Sequence, residues 1–515
     1  MGVDIIYGGI IGVLSKKQLC KFLLFLSVSF IILTFCSMTS FLFPIHNWVD
    51  QNCFFTVGKG IINGLVPYRD LFEQKGPLLY FINAVAALIT EKSFIGVFVI
   101  QILFYAFFLS ILNKISLLFI DEKLSIYSTI FAGILVATTY CYRRGDNAEE
   151  FCLPLLAYGL YTLLKAYKSD FQGVFSYKTM LINGIFVGCI LWIKFSLLGF
   201  HLGFIVSFFI LSLMQKRYRE AFLKVAVFAG GIFLATIPFI IYFAVNGAIK
   251  DWLYVYIYSN VFLYSGDYGL IDRLVYILST IFNNIIYNSV ATVMIILGIF
   301  SFCLKERYIS EYRYRIALLV SVLMLVIGIY IGGVSYKYYF LIVMPFVILG
   351  IISIVSFCNK NKVFSKIFDK RLVPTVFVCC LAIIIFCSNC RYYYFKEKND
   401  FPQYKFAEII KQTPNATLLN YGFLDGGFYH TTNIQPSERY FCRVNISEKK
   451  LAEMYEEQQK AIESKKYDYV VTRKRCKETD DYIIEGNKVL YENYELVDTA
   501  YEKHDQYLYA LLKKK

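Results

Sequence analysis

Ionisable side chains gather in two short stretches of an otherwise apolar sequence. The ionisable residues singled out in the first polar stretch are Asp50, Arg69, Asp70, Glu73 and Lys75. The second polar stretch carries two bases and three acids within eight residues, which are Arg143, Arg144, Asp146, Glu149 and Glu150. A carboxylate beside a membrane can act as a general base, and a lysine or arginine can hold a phosphate by charge-assisted hydrogen bonds. Ionisable groups at membrane depth are costly, so their presence favours a functional role.

Simple ion pairing is the competing interpretation of both stretches. Arg69 would pair with Asp70 or Glu73, and the arginines of the second stretch with the acids beside them. Arginines on the outer side of a membrane oppose the positive-inside tendency, so a phosphate site beside a carboxylate is the alternative there. Lys194 ends an apolar run, and it either extends toward the lipid headgroups or faces an anionic ligand.

Eleven apolar runs must position these side chains. The 515 residues are 57% hydrophobic and only 17% charged, whereas soluble domains are about half apolar and a quarter charged. Each run can cross a hydrocarbon core of about 30 Å as a helix, a few of them with help from flanking aromatic residues. We therefore predict an α-helical polytopic membrane protein with about eleven transmembrane helices. The runs cover residues 19–43, 94–112, 126–141, 152–167, 180–197, 199–214, 222–245, 285–304, 316–332, 339–357 and 373–389.

The basic residues indicate the orientation of the chain. The net charge is +14, and lysines and arginines concentrate in the short loops between the runs. These loops fall on one side only if the apolar segment 77–90 does not span, so we predict a juxtamembrane helix there. The amino terminus is then cytoplasmic, and this pattern explains the charge without a nucleic-acid partner. The stretches predicted to lie outside are 44–93, 142–151, 246–284 and the chain from about 390 onward.

The chain from 390 to 515 differs in composition from the apolar region 1–389, and we predict two domains with this boundary. Strand-like runs and one polar helix, 448–465 with Ser447 as its N-cap, predict a small extracytoplasmic α/β domain. The strand-like runs are 417–421, 467–472, 495–497 and 507–512. Cys442 and Cys476 are candidates for a disulfide, and no cysteine or histidine cluster has zinc-site spacing.

Three segments together resemble the outer loops of bacterial glycosyltransferases of the GT-C superfamily. They are Asp50, GKGIINGLVPYRDLFEQKGPLLYF and GDNAEEFCLPLL, and the resemblance is strongest over residues 45–165. The similar branch is the family 39-like group related to the protein O-mannosyltransferases and the lipid A aminoarabinose transferase. This resemblance implies a multi-pass fold, juxtamembrane helices in the first outer loop, and a sugar donor carried on a polyprenyl phosphate.

The resemblance also implies roles for individual residues. The motif aspartate, the lysine before the proline and the acidic second loop correspond to Asp50, to Lys75, and to Asp146, Glu149 and Glu150. Two positions depart from the pattern, because Gln51 follows the aspartate where many members have Glu, and Tyr338 stands where relatives often have His. The first departure leaves a divalent metal ion at this aspartate open, and no other cofactor is expected.

We therefore expect a membrane glycosyltransferase that moves a sugar from a polyprenyl-phosphate donor to an extracytoplasmic glycan, lipid or protein of the cell envelope. The predicted catalytic carboxylates are Asp50, Glu149 and Glu150. The predicted ligands of the donor phosphate are Lys75, Arg143, Arg144 and Lys194. The predicted substrate contacts are Arg69, Asp70, Glu73 and Asp146. The alternatives are a lipid-linked glycan polymerase or ligase, and a transporter or flippase, which should show an internal repeat and midplane charges.

Overall fold

The computed structural model describes residues 15–264, 269–333, 336–360, 373–476 and 488–515. Helices make up nearly all of the apolar region. They are α1 Lys16–Cys36, α2 Val49–Ile62, α3 Pro77–Ile89, α4 Ile95–Leu117, α5 Glu122–Thr138, α6 Ala148–Lys168, α7 Phe171–Val174, α8 Tyr177–Lys194, α9 Gly199–Met214, α10 Tyr218–Val245, α11 Ile249–Trp252, α12 Leu270–Tyr287, α13 Ser289–Leu304, α14 Tyr312–Tyr330, α15 Val347–Lys360 and α16 Val373–Cys387. A π-helix, Leu253–Leu263, follows α11, and a 3-10 helix, Lys337–Phe346, precedes α15.

The predicted fold class, a helical polytopic membrane protein, is confirmed. Each of the eleven predicted runs overlaps a helix. In the part of the chain that the structure describes, six helical segments are long and apolar enough to cross a membrane. A seventh is added if the pair α12–α13, bent by 102°, forms one span. The remaining runs form shorter or more polar helices, so the number eleven stays a prediction.

Helix α3 occupies the segment predicted to be a juxtamembrane helix. It begins where Gly76 is followed by Pro77 in the first turn, a position that suits proline because no intrahelical donor is lost there. Its 13 residues extend about 20 Å at 1.5 Å per residue, less than a hydrocarbon core of about 30 Å. It packs closely on α2, since a Cβ added at Gly58 would lie 2.6 Å from the backbone of Asn83. This length supports the juxtamembrane prediction.

The carboxy-terminal part forms the predicted small α/β domain, called the tail domain below. Its four-stranded sheet has the order β1-β2-β4-β3, with β1 and β2 parallel and the other neighbours antiparallel. The strands are β1 Leu418–Asn420, β2 Tyr469–Arg475, β3 Tyr494–Glu502 and β4 Tyr507–Lys514. The helices are α17 Pro402–Ile410, α18 Phe428–Thr432, α19 Ala452–Glu463 and α20 Lys488–Asn493. The boundary at 389/390 stays a prediction.

Two sequence-based expectations for the tail domain are wrong. The polar helix begins at Ala452 rather than near 448, because the carbonyl of Ser447 accepts the amides of Lys450 and Leu451 in a separate turn. Cys442 and Cys476 are both free thiols. The buried Cys442 instead lies 3.9 Å, sulfur to sulfur, from Cys53 of α2.

The tail domain docks on the same face of the molecule as the two polar stretches. The amide of Phe72 donates to the carbonyl of Arg439 at 2.8 Å, and the Thr56 hydroxyl donates to Asp425 at 2.5 Å. The predicted outer stretches and the tail domain therefore meet and enclose a common space.

Candidate active site

A cavity of about 1240 Å³ lies between the polar stretches and the tail domain. Both parts of the chain contribute charged and aromatic side chains to its walls. From the membrane region come Trp48, Asp50, Glu73, Lys75, Tyr140, Arg143, Arg144, Lys337 and Tyr338. From the tail domain come Arg443, Tyr455, Arg473, Glu502, Asp505, Tyr507 and Tyr509. Small-molecule pockets are usually about 300–1,000 Å³, so this cavity has room for more than one substrate group.

Asp50 lies at the start of a helix, and its carboxylate lines the cavity. It lies in the first turn of α2, where the helix dipole favours a negative charge. The side chain is half-buried, and its Oδ2 accepts a hydrogen bond from the Tyr338 hydroxyl at 2.9 Å. The ring of Tyr338 stacks on that of Tyr336, with centroids 5.6 Å apart and an interplanar angle of 5°. This stacking fixes the hydroxyl that orients the carboxylate.

Lys75 reaches the cavity from the turn that leads into α3. Its Nζ lies 3.7 Å from Oε1 of Glu73 and 5.5 Å from the centre of the Phe54 ring. Burial alone would lower the pKa of Lys75, but the charges of Glu73 and Asp50 raise it above its ordinary value. Glu73 itself is buried and accepts hydrogen bonds from the Lys75 amide, at 3.0 Å, and from the Tyr80 hydroxyl. Lys75 is therefore a fixed ammonium cation.

Gly76 brings this turn against the end of α8. A Cβ at Gly76 would lie 2.1 Å from the Trp192 carbonyl oxygen, so only glycine allows this approach. Lys194 ends the same helix, and its Nζ lies 2.5 Å from Oε1 of Glu149 and 3.3 Å from the centre of the Tyr339 ring. Neither Lys194 nor Glu149 lines the cavity. This ion pair therefore lies outside the cavity.

The two predicted phosphate-binding arginines have different surroundings. Arg143 faces the cavity, with its guanidinium 4.7 Å from the Trp48 ring and 5.3 Å from the Tyr140 ring. No carboxylate within the described ranges forms a salt bridge with it. Arg144 is buried, donates to both oxygens of Asp505 at 2.9 and 3.0 Å, and donates to Asn47 at 2.7 Å. Arg144 thus joins the second polar stretch to the tail domain.

The other predicted site residues lie outside the cavity. Glu150 is buried and accepts hydrogen bonds from Tyr142, Gln101 and the Asp146 amide at 2.6, 2.9 and 2.8 Å. The carboxylate of Asp146 is fully buried and has no hydrogen-bond partner among the residues that the structure describes. Burial, and to a smaller degree the Glu150 charge, raise the pKa of Asp146 well above its ordinary range.

Arg69 and Asp70 form the ion pair that was the simpler interpretation of the first polar stretch. Two guanidinium nitrogens of Arg69 donate to the two oxygens of Asp70, each at 2.8 Å. A third nitrogen of Arg69 donates to the Asn246 carbonyl at the end of α10, also at 2.8 Å. The pair closes a loop and does not line the cavity.

Sequence reasoning missed the contribution of two other regions. Tyr338 was identified only as a departure from a family pattern, yet it donates to Asp50. The tail domain showed no recognisable motif, although Arg443, Arg473 and Asp505 line the cavity. The signal in the sequence was limited to residues 439–443, where two arginines flank a tyrosine and a phenylalanine.

The residues around Asp50 do not form a divalent-cation site made of protein ligands alone. Ca²⁺ takes six to eight oxygen ligands, whereas Mg²⁺ is usually held by one or two carboxylates together with water and substrate phosphates. Among the residues that the structure describes, no three His, Cys, Asp or Glu side chains come together in a suitable arrangement. The near neighbours of Asp50 are the Tyr338 hydroxyl and the cation of Lys75.

Comparison with solved structures identifies the fold of this chain. No protein-family model matches the sequence, and no curated protein sequence matches it. The crystal structure of ArnT from Cupriavidus metallidurans bound to undecaprenyl phosphate matches with a TM-score of 0.55 at 10% identity, over 97% of this chain and 98% of ArnT. The chain has the fold of ArnT. The resemblance inferred from the polar stretches is thereby confirmed at the level of the fold.

Two further solved structures are similar. ArnT in the apo state matches this chain with the same TM-score of 0.55 at 10% identity, covering 96% of this chain and 97% of ArnT. The oligosaccharyltransferase AglB from Archaeoglobus fulgidus, in complex with an inhibitory peptide and a dolichol-phosphate, matches with a TM-score of 0.44 at 11% identity. That match covers 88% of this chain and 69% of AglB.

Proposed function

We propose that this protein transfers a sugar from a polyprenyl phosphate to an acceptor hydroxyl of the cell envelope. The observation that carries the proposal is that Asp50, Lys75 and Arg143 line one cavity. It combines a carboxylate for proton removal with two cations for a phosphate. The fold shared with ArnT, which was crystallised with undecaprenyl phosphate, supports the choice of carrier.

The proposed reaction needs one base and no acid. Asp50 takes the proton of the acceptor hydroxyl while the acceptor oxygen forms a bond to C1 of the sugar. The bond between C1 and the phosphate oxygen breaks, and its electron pair leaves with the polyprenyl phosphate. The leaving group is already an anion, so cations stabilise it without proton donation. The proton then passes from Asp50 to water in the cavity.

The geometry supports a narrower set of roles than the sequence did. Lys75 and Arg143 are the proposed phosphate ligands, because both face the cavity. Lys194 and Arg144 are already paired with Glu149 and Asp505, so we assign them to positioning the walls. The other predicted site residues outside the cavity are proposed to brace the two polar stretches; they are Arg69, Asp70, Asp146, Glu149 and Glu150.

We further propose that this face is extracytoplasmic, with the amino terminus in the cytoplasm. The contacts between the tail domain and both polar stretches support a single side for all three. The test is Ser437→Cys in a background without native cysteines, because Ser437 is exposed on the tail domain. Labelling by a membrane-impermeant reagent in intact cells is expected. Protection in intact cells with labelling after lysis would reverse the orientation.

A transfer assay tests the function itself. The purified protein is placed in lipid vesicles with a polyprenyl-phosphate sugar that is labelled in the sugar, together with an envelope extract as acceptor. Label is expected to move from lipid to the extract. Mass spectrometry of envelope glycans with and without the protein would then identify the sugar and the acceptor. Movement of the intact labelled lipid across the bilayer, without transfer, would favour a flippase instead.

A further inference from the structure

The tail-domain wall of the cavity carries two arginines between aromatic rings. The guanidinium of Arg443 lies 4.3 Å from the centre of the Tyr455 ring and 5.1 Å from that of Tyr421. The guanidinium of Arg473 lies 4.1 Å from the Tyr507 ring and 4.7 Å from the Phe423 ring. Both arginines are half-buried and both line the cavity. Stacking on rings holds each planar guanidinium while leaving its N–H edge available.

Neither arginine is neutralised by an acid among the described residues. Within the described residues, each donates one side-chain hydrogen bond to a neutral group: Nε of Arg443 donates to Gln458, and an Nη of Arg473 donates to Tyr509, both at 3.3 Å. Half-buried cations usually have a counter-ion, because burial removes the water that would solvate them. These two guanidinium groups therefore have unused hydrogen-bonding capacity toward the cavity.

The acids of the same wall are already engaged. Asp505 receives the bidentate contact from Arg144. Glu502 accepts the Tyr393 hydroxyl at 3.2 Å and the amides of His504 and Asp505 at 3.1 and 2.6 Å. Among the residues that the structure describes, two guanidinium groups without an acidic partner stand against one carboxylate without a basic partner, Glu502, so the net charge of this wall is positive.

The arginine wall adjoins the proposed base. Asn445 is two residues from Arg443, and its amide donates to the Tyr336 hydroxyl at 3.2 Å. Tyr336 stacks on Tyr338, whose hydroxyl donates to Asp50. A ligand that contacts both the arginine wall and the stacked tyrosines would therefore extend toward Asp50. The large volume of the cavity leaves space for such a ligand beside a donor held at Lys75.

We propose that Arg443 and Arg473 form an anion-binding site of the tail domain, which selects an acceptor glycan that carries phosphate or carboxylate groups. This inference rests on the proposed function, since it names the class of acceptor. Guanidinium forks match both anions in geometry, and the flanking tyrosines offer faces on which sugar rings can stack. The site is separate from the cations proposed to hold the donor phosphate.

The first experiment measures binding without catalysis. The full-length purified protein is titrated with three fluorescent probes of similar size: neutral maltoheptaose, phosphorylated maltoheptaose and a heptameric oligogalacturonate. The wild type is expected to bind one or both anionic probes at least tenfold more tightly than the neutral one, and which probe binds distinguishes phosphate from carboxylate. Arg443→Gln and Arg473→Gln are each expected to weaken that binding about tenfold, the effect of losing a charge-assisted contact. Arg473→Lys should restore part of it.

Lys460→Gln is the matched control, because it removes one positive charge from an exposed position of the same domain, outside the cavity. It is expected to change probe affinity less than twofold. Equal binding of neutral and anionic probes by the wild type would overturn the inference, and so would equal weakening by the control variant. Melting temperatures of all variants exclude loss of the fold as the cause.

The second experiment separates acceptor from donor. In the transfer assay, the two arginine variants are expected to raise the KM for the acceptor about tenfold and that for the donor less than twofold. A rise in the donor KM alone would overturn the inference and assign these arginines to the donor. If the wild type binds anionic probes but transfers no sugar, the proposed function fails while the anion site stands.

Discussion

Asp50 and Glu150 occupy similar positions in their helices but have different surroundings in the folded protein. Each is an acid of a polar stretch and lies in the first turn of a helix. Asp50 is half-buried, lines the cavity and receives the Tyr338 hydroxyl. Glu150 is buried and receives three donors from Tyr142, Gln101 and the Asp146 amide.

This difference distinguishes a carboxylate that can react with a substrate from one that only holds a loop in place, which is called a bracing carboxylate below. A carboxylate whose lone pairs are taken by fixed protein donors stabilises a loop, because its hydrogen bonds are lost if it moves. A carboxylate that faces a cavity can accept a substrate proton. Asp425 of the tail domain belongs to the bracing class, since it accepts hydrogen bonds from Thr56, Asn420 and the Gly427 amide.

The largest effect is expected for Asp50→Asn. The amide keeps the shape of the side chain but cannot take a proton, so the transfer rate should fall roughly 10²–10⁴-fold. The melting temperature should stay within a few degrees of the wild type. Asp70→Asn and Glu149→Gln are the comparisons, and each should lower the rate per folded molecule less than tenfold. If either is inactive while Asp50→Asn transfers normally, the base is misassigned.

Asp425 tests the bracing class through pH. Burial raises the pKa of Asp425 to about 6, from an ordinary value of 3.8. The folded protein therefore keeps the proton between these values while the unfolded chain releases it, so stability from this group falls as pH rises from about 4 to about 6. The change is about 3 kcal/mol at about 1.4 kcal/mol per pKa unit. The melting temperature of the wild type minus that of Asp425→Asn, measured across this pH range, isolates the contribution of Asp425 to stability. A difference in melting temperature that does not change with pH would contradict the raised pKa of Asp425.

Lys75→Ala tests a second charged side chain that faces the cavity, the proposed lysine ligand of the donor phosphate. Loss of a charge-assisted contact with phosphate should weaken donor binding by about 1.5–3 kcal/mol. Donor affinity of the purified protein is the measurement. Lys250→Ala removes an exposed lysine that does not line the cavity and should leave donor affinity unchanged. Normal donor affinity in Lys75→Ala would move the phosphate role to Arg143.

Glu150→Gln should mainly affect stability. The glutamine amide group would face donors that now point at a carboxylate, and one mismatched buried contact costs about 1–3 kcal/mol. A lower melting temperature is expected, with donor and acceptor KM values within about twofold of the wild type. A catalytic role for Glu150 would instead lower the rate of molecules that remain folded and melt normally.

The smallest effect is expected for Tyr338→Phe. This change removes the hydroxyl that orients Asp50 and keeps the stacked ring. One hydrogen bond contributes about 0.5–1.5 kcal/mol net, so the rate should fall about two- to tenfold. An unchanged rate would mean that Asp50 is oriented by other groups.

The sequence predicted the fold well because its signals there are long and redundant. Eleven apolar runs each extend over many residues, so a helix results even where single positions vary. The segment 77–90 was correctly placed as a helix because Gly76-Pro77 marks its start and its length is limited. The strands of the tail domain were predicted within a few residues for similar reasons, whereas the start of α19 depended on one local turn.

The candidate site was predicted only in part, because its geometry depends on contacts between distant residues. Spacing along the chain brought Asp50, Lys75 and Arg143 to attention, and the structure brings all three to one cavity. Spacing did not show that Asp505 would take Arg144, or that Glu149 would take Lys194. Which charges remain free is a property of the folded molecule.

The pair between Arg144 and Asp505 also has a consequence for biosynthesis. The two residues are 361 positions apart in the chain. At a synthesis rate of about 5–20 residues per second, Arg144 is made roughly 20–70 s before its partner exists. During that interval the guanidinium has no counter-ion and the helices below it assemble under an unfinished surface. Changes at Asp505 should therefore leave membrane insertion of the helices unaffected and should act later, on the docking of the tail domain.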